Sequence, residues 1–400
     1  MRRRVAVVTG SRADYGLLYW ILKDLQASAD VELQLCVTGA HLVPQFGHTV
    51  DAIRADGMAI AAEVPSFVSG DTPEAVTHSI ARGVSGFGDA LSRLKPDVLL
   101  LMADRYEIFA AAAAAVALRV PIAHLSGGES TEGLFDDQLR HAITKMAHLH
   151  FASMELYGER IVRMGELPQH VFAVGEPGLD HCQRTPLLDL EATSVAVGLD
   201  LARPTAVVTF HPVTLEPEHT ARYVNELLRA LAGVPELQLV LSYPGADPGS
   251  QIISEAFETL VAGRPGAVLH KSLGTLRYLS LLRHARLMVG NSSSGLVEAP
   301  SFELPVLNIG SRQRGRVRAA NVLDVDCRAD AIRAGVRRLL EPEFREALRG
   351  LRNPYGDGRT SERVVRILTT CDLADLRYKP FYDGPGKGGA ADLERKPTGS

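Results

Sequence analysis

Short apolar runs alternate along the chain with longer segments whose apolar positions recur every three or four residues. The runs at 5–9, 32–38, 98–102, 122–125 and 149–152 have the length and continuity of buried β-strands. Between them, 17–26, 73–93, 108–118 and 137–147 carry a helical period. The alanine run at 110–115 has high helix propensity, and its small side chains let a helix lie close on a sheet. Continuous apolar strands joined by crossover helices imply a parallel sheet covered on both faces.

The pattern then restarts. Runs at 206–210, 237–242, 267–269, 287–290 and 306–309 predict a second strand set, with helices at 221–232 and 273–283 among them. The stretch 175–204 holds Pro177, Pro186 and Pro204 and is the expected join. Residues 361–371 predict a last helix, and the glycine-rich sequence beyond Asp383 reads as disordered. The chain is therefore expected to form two doubly wound α/β units. Open parallel sheets bind ligands beyond the carboxyl ends of their strands, so chemistry is sought there.

Composition narrows the classes. With 400 residues, 46% hydrophobic and 22% charged, the chain is neither fibrous nor mainly disordered. The net charge of −4 argues against a nucleic-acid partner. The longest strongly apolar run, 109–118, falls short of the ~20 residues a membrane span needs. The N-terminus has no signal-peptide pattern. Cys36, Cys182, Cys327 and Cys371 are scattered, without the spacing of a zinc site or disulfide framework, so a cytoplasmic location is expected.

Candidate chemistry does follow strands. Thr9-Gly10-Ser11-Arg12-Ala13-Asp14-Tyr15-Gly16 leads from the first strand into a helix; free N–H groups there, with Arg12, can hold an anion. A plain strand–helix turn with a surface arginine is the alternative. Neither the dinucleotide glycine pattern nor a P-loop is present. Gly290-Asn291-Ser292-Ser293-Ser294-Gly295 repeats the arrangement in the second half. Its hydroxyls suit a diphosphate, and Glu298 could accept from both hydroxyls of a ribose. A serine N-cap with a solvated glutamate is the alternative.

Asp104-Arg105 ends one strand, and Ser126-Gly127-Gly128-Glu129 follows another. Phe135-Asp136-Asp137 opens a helix. Asp104, Glu129 and Asp136 could share general acid and base work; helix capping and local salt bridges compete with that reading. His211 could donate to a phosphate or a leaving oxygen, and His41 has the same ambiguity. His148 and His150 are expected to be packed or hydrated rather than metal-bound. Of the basic loop at 311–318, one arginine is expected to meet phosphate.

These positions, together with Arg140-His141-Ala-Ile-Thr-Lys145, His211-Pro-Val-Thr and Asn308-Ile-Gly-Ser-Arg312-Gln, stand in one order. From about Val5 to about Arg366 the chain resembles the hydrolysing UDP-N-acetylglucosamine 2-epimerases of sialic-acid biosynthesis. It is equally similar to their relatives acting on UDP-N,N′-diacetylbacillosamine in legionaminic-acid biosynthesis. The resemblance implies a GT-B fold: two Rossmann-like doubly wound parallel-sheet domains facing across a cleft. Residues 1–175 would carry the acid–base groups and 176–365 the UDP site. Residues 366–383 would pack back on the first domain, ahead of a disordered 384–400. It implies no metal and no nicotinamide, a UDP-sugar as partner, and a homodimer or homotetramer.

The implied reaction is anti elimination of UDP to a 2-acetamidoglycal, then hydration to the free 2-epimer. The family pattern places Arg12, Ser292, Ser293, Glu298 and Arg312 on UDP, and Arg105 and His211 near the leaving oxygen. It makes Asp104 and Asp136 acid–base groups and His41 a cleft histidine, with Glu129 a further candidate. Three departures stand out. Ala103 replaces the usual glycine before Asp-Arg, and Gly16 replaces a serine of the human-type enzyme. Ser126 replaces a histidine or glutamate presumed catalytic, so Glu129 or His124 takes over, the substrate differs, or turnover is slow. A GT-B glycosyltransferase and a non-catalytic nucleotide-sugar sensor are the competing readings.

Overall fold

The computed structural model describes residues 2–70, 72–130, 136–213, 216–244, 249–373, 376 and 378–385. Phe135, Thr214 and most of the glycine-rich tail lie outside the described residues. The chain divides into two compact units, Met1–Gly178 with Arg359–Ser400, and Leu179–Gly358.

Unit 1 is built on seven parallel strands: β1 (Arg3–Thr9), β2 (Val31–Thr38), β3 (Ile60–Val64), β4 (Val98–Met102), β5 (Ile122–Leu125), β6 (Leu149–Ala152) and β7 (Val171–Ala173). Their order is β3-β2-β1-β4-β5-β6-β7. Alternate residues of each strand feed opposite faces, as a pleat requires. Val5 and Val7 of β1 pack with Leu18, Leu22, Leu35 and Leu100 on one side. Ala6 and Val8 pack with Leu99, Leu101, Ala111 and Ala115 on the other. The alanine-rich helix Tyr106–Ala117 does lie close on the sheet, and Ala110, Ala111, Ala112 and Ala115 are fully buried.

The helix Thr360–Thr370 belongs to this unit. Val364 and Leu368 enter the Leu18–Leu22 face. Burying two such side chains contributes about 1.5–3 kcal/mol each. Arg3 caps the helix end by donating to the Cys371 carbonyl at 2.9 Å. A buried carboxylate ties the following segment to the sheet edge. Burial works against ionising Glu166, yet hydrogen bonds from His150, Lys145 and Lys379 hold its carboxyl down at about 2.

Unit 2 has six parallel strands: β8 (Thr205–Thr209), β9 (Gln238–Ser242), β10 (Ala267–His270), β11 (Leu287–Gly290), β12 (Val306–Ile309) and β13 (Val322–Val325), in the order β10-β9-β8-β11-β12-β13. The expected join at 175–204 is not a loose linker. It forms helices Asp180–Arg184 and Leu190–Val197, and Val197 and Leu201 enter the unit 2 core.

Three strands lacked a sequence signal: β3, β7 and β13. Each is a sheet edge. In both units the strand order reverses once, at β1/β4 and at β8/β11. Ligand sites of doubly wound sheets form at such switch points.

Candidate functional site

At the β1 end, Ser11 caps the helix Arg12–Ala27, its Oγ accepting from the Asp14 N–H at 3.3 Å. The helix thus starts five residues before the expected 17–26. Arg12 is exposed. At the β4 end, Ala103 takes a left-handed conformation, φ +63°, which costs a residue with a Cβ about 1–2 kcal/mol. Ala103→Gly is therefore expected to stabilise the protein by about 0.5–1 kcal/mol after the flexibility of glycine in the unfolded chain is counted, read as a raised urea midpoint. The turn throws Asp104 and Arg105 beyond the sheet. Asp104 pairs with the buried Arg140 guanidinium, which also faces Asp137 at 3.5 Å. Arg105 forms a two-pronged pair with Glu107, at 2.8 and 3.2 Å.

Asp136 opens the helix Asp136–Met146 within reach of the same charges. Burial first, and then the neighbouring Asp104, push its carboxyl above the usual range; Arg105 and Arg140 offset part of this. Asp104, Arg105 and Asp136 are thus brought together, with Arg140 among them. Glu129 has a different partner, accepting from Ser153 Oγ at 2.8 Å.

Ser126 also adopts a left-handed conformation, φ +58°, and its N–H donates to the Phe151 carbonyl at 2.9 Å. His124 is not free to replace it as a base. It is fully buried, with Nε2 donating to the Ala103 carbonyl at 2.8 Å and Nδ1 against Thr144 Oγ1 at 3.2 Å. Burial depresses its pKa to about 3. An unfolded histidine titrates near 6.5, so protonation favours unfolding. Stability is full above pH 6.5 and falls toward pH 3, by up to about 1.4 kcal/mol per pH unit. Urea unfolding across that range should show a steeper loss for the native protein than for His124→Gln.

His41 is fully buried as well. Its Nε2 lies 3.0 Å from Thr9 Oγ1 and its Nδ1 2.7 Å from Thr49 Oγ1, and burial lowers its pKa to about 4. The structure places it beneath the β1 turn, with both ring nitrogens engaged. His150 is packed, as expected, against Glu166.

In unit 2 the organiser is Asn291, buried at the β11 end. Its side chain accepts from the His211 N–H at 2.7 Å and donates to the His211 carbonyl at 2.8 Å. Its own carbonyl accepts from Gln313 at 2.8 Å and Arg312 at 3.3 Å. Ser311 donates to Glu216 at 2.8 Å. One asparagine thereby joins the ends of β8, β11 and β12, and gathers His211, Ser292, Ser293 and Arg312. Ser292 Oγ accepts from the Ser294 N–H at 3.3 Å, ahead of a helix of only four residues, Ser294–Val297. Glu298 follows it, and burial raises its carboxyl pKa.

Sequence reasoning assigned no role to Asn291, Arg140 or Glu107. Asn291 and Arg140 stand within motifs it quoted, so a signal was available. Glu107 reads in sequence only as an acidic residue in a first helical turn. Among the described residues no three His, Cys, Asp or Glu side chains are arranged to hold a metal ion, and no helix is long and apolar enough to cross a membrane.

Comparison with known proteins adds four findings. Residues 23–369 match the family model described as UDP-N-acetylglucosamine 2-epimerase. The chain is 37% identical to a UDP-N,N′-diacetylbacillosamine 2-epimerase (hydrolyzing) of Legionella pneumophila, over 93% of this chain and 97% of that one. It is 33% identical to a GDP/UDP-N,N′-diacetylbacillosamine 2-epimerase (hydrolyzing) of Campylobacter jejuni, over 96% and 99%. Its fold matches the crystal structure of UDP-GlcNAc 2-epimerase from Neisseria meningitidis bound to UDP-GlcNAc. That match has a TM-score of 0.76 and 19% identity, and covers 91% of this chain and 99% of that one.

Proposed function

The chain belongs to the UDP-N-acetylglucosamine 2-epimerase family, and from that premise we propose that it acts on UDP-N,N′-diacetylbacillosamine, a UDP-linked 2,4-diacetamido-2,4,6-trideoxy sugar. It is a GT-B enzyme, a hydrolysing UDP-sugar 2-epimerase, and family membership displaces the acceptor-dependent transferase and the non-catalytic sensor. The observation that carries the choice of sugar is the 37% identity, over nearly all of both chains, with a relative named for it. UDP-N-acetylglucosamine is the second reading, favoured by the name of the family model.

The chemistry has two stages. A base takes the proton from C2 while the C1–O bond to UDP breaks. The electron pair of the C2–H bond becomes the C1–C2 double bond, and UDP departs with the electrons of the C1–O bond. Water then adds to the 2-acetamidoglycal, a proton to C2 on the face that inverts it and hydroxyl to C1. The products are UDP and the free 2-epimer.

The residues of unit 1 fit the proton transfers. Asp136 has a raised pKa, which makes its carboxylate a stronger base nearer working pH. Asp104 is oriented by Arg140, and Glu129 is the remaining candidate. The diphosphate gains charge as the bond breaks, and fixed cations and dipoles stabilise that charge most. Arg12 and Arg105 in unit 1, and His211, Ser292, Ser293 and Arg312 in unit 2, are proposed for it, with Glu298 on the ribose. His41, with both nitrogens engaged, supports the β1 turn. A homodimeric or homotetrameric assembly and a cytoplasmic location follow from the same reading; light scattering tests the first.

The deciding experiment is NMR in deuterated water with each UDP-sugar. Free UDP and a manno-configured diacetamido sugar carrying deuterium at C2 are expected, faster than any product from UDP-N-acetylglucosamine. Faster turnover of the latter would establish the second reading. UDP release from neither sugar would overturn both.

A further inference from the structure

We infer that Glu107 and Asp14, which take no part in the reaction as written above, are positioning residues that hold the Arg105 guanidinium fixed for the departing diphosphate. The inference rests on the placement of Arg105 proposed above.

Glu107 lies two residues after Arg105, in the first turn of the helix Tyr106–Ala117. Acidic residues are favourable there because of the helix dipole, and most such side chains face water. This one is turned back and its side chain is 1% exposed. A carboxylate so buried is tolerated only when paired. Its partner is the arginine fork, Nε to Oε2 at 3.2 Å and Nη2 to Oε1 at 2.8 Å. Two parallel N–H···O bonds fix the plane of a guanidinium as well as its position.

Separate parts of the chain make room for this pair. Gly39, at the end of β2, has φ +57°, and a Cβ there would stand 2.7 Å from Glu107 Oε1 and 2.8 Å from the Gly10 carbonyl. Gly10, at the end of β1, lies over the same carboxylate: a Cβ there would meet Glu107 Cβ and Asp14 Oδ2, both at 3.6 Å. Asp14 completes the bracket, its Oδ2 buried 4.0 Å from Arg105 Nε and, among the described residues, without a hydrogen-bond partner. The strand-end turns at Gly10 and Gly39 thus pack against a carboxylate, Gly39 leaving it room by lacking a Cβ, which is a different use from anion binding by their own N–H groups.

The fork occupies Nε and Nη2, while the Arg105 side chain stays 39% exposed. Among the described residues Nη1 makes no hydrogen bond, and it is the donor assigned to a ligand. An arginine already held in its working plane does not reorganise as charge develops on the leaving group, which is how fixed cations accelerate bond breaking. A lysine would lack the fork.

A double-mutant cycle tests this. Glu107→Gln, Arg105→Ala and the double variant are compared with the native protein for UDP release and, by calorimetry, for UDP affinity, with melting curves verifying the fold. Glu107→Gln alone is expected to lower kcat/KM by about 10- to 100-fold, chiefly through kcat. In the Arg105→Ala background it is expected to add less than about twofold, because its target is gone. Native-like Glu107→Gln, or a full second loss in the double variant, would overturn the inference while leaving the proposed function standing. Native turnover and UDP affinity in Arg105→Ala would overturn the placement of Arg105 itself, and the bracket with it. Asp14→Asn carries the same cycle without touching the Gly39 contact, should Glu107→Gln not fold.

Discussion

Alanine in place of Gly290 is expected to abolish measurable UDP binding and to lower the unfolding free energy by about 3 kcal/mol or more. Gly290 ends β11, in register with Thr209 of β8, and has φ +146°. A Cβ at this position would fall 1.9 Å from the Thr209 carbonyl oxygen, far inside any non-bonded contact. Backbone cannot give way as a side chain can, so the chain after Gly290 must move. The next residue is Asn291, whose N–H donates to that same Thr209 carbonyl at 3.1 Å. Shifting it would part His211, Gln313 and Arg312 from their common partner. Calorimetric titration with UDP and urea unfolding check the two halves of this expectation. Gly16→Ala is the contrast: nothing lies within 4 Å of the added carbon, and the position is inside a helix, where alanine is expected to be neutral or stabilising by about 0.5–1 kcal/mol. Intact UDP affinity in Gly290→Ala would remove the 290–295 loop from the nucleotide site.

The contrast between these glycines also marks what the sequence discloses. The central strands were legible because a strand buried on both faces has to be continuously apolar; β1, β4 and β11 read that way at once. The edge strands obey no such rule. Glu63 is exposed in β3, and β13 carries Asp324, which pairs with Arg318 at 2.7 Å. The strand-end motifs told where chemistry should lie, because a switch point is fixed by topology. They did not tell which side chains support which. Asn291 acts on His211, 80 residues away in sequence, and the Glu107 fork depends on space left by Gly39. Partnerships of that kind are created by the fold and have no local signature. The same holds for His41 and His124. A histidine at or just after a strand's end is an equally good candidate for catalysis or for packing until its two nitrogens are seen to be engaged.

Asp136→Asn is expected to lower kcat for UDP release by about 10³-fold with the fold intact, whereas Asp104→Asn should lose both rate and stability. The distinction follows from what each carboxylate touches. Asp136 is half-buried, and burial and the charge of Asp104 both raise its pKa; a neutral isostere there relieves that repulsion while removing the proton acceptor, and general acid–base groups contribute 10²–10⁴-fold to rate. Asp104 is the close partner of Arg140, a guanidinium only 9% exposed. Taking one partner from a buried pair costs up to about 3–5 kcal/mol, and the remaining contacts of Arg140, Asp137 at 3.5 Å among them, offset part of it. A coupled assay of UDP release together with urea unfolding separates the two variants. A native rate in Asp136→Asn would take that carboxylate out of the reaction. A native urea midpoint in Asp104→Asn would mean that Asp104 is not what holds Arg140 in place.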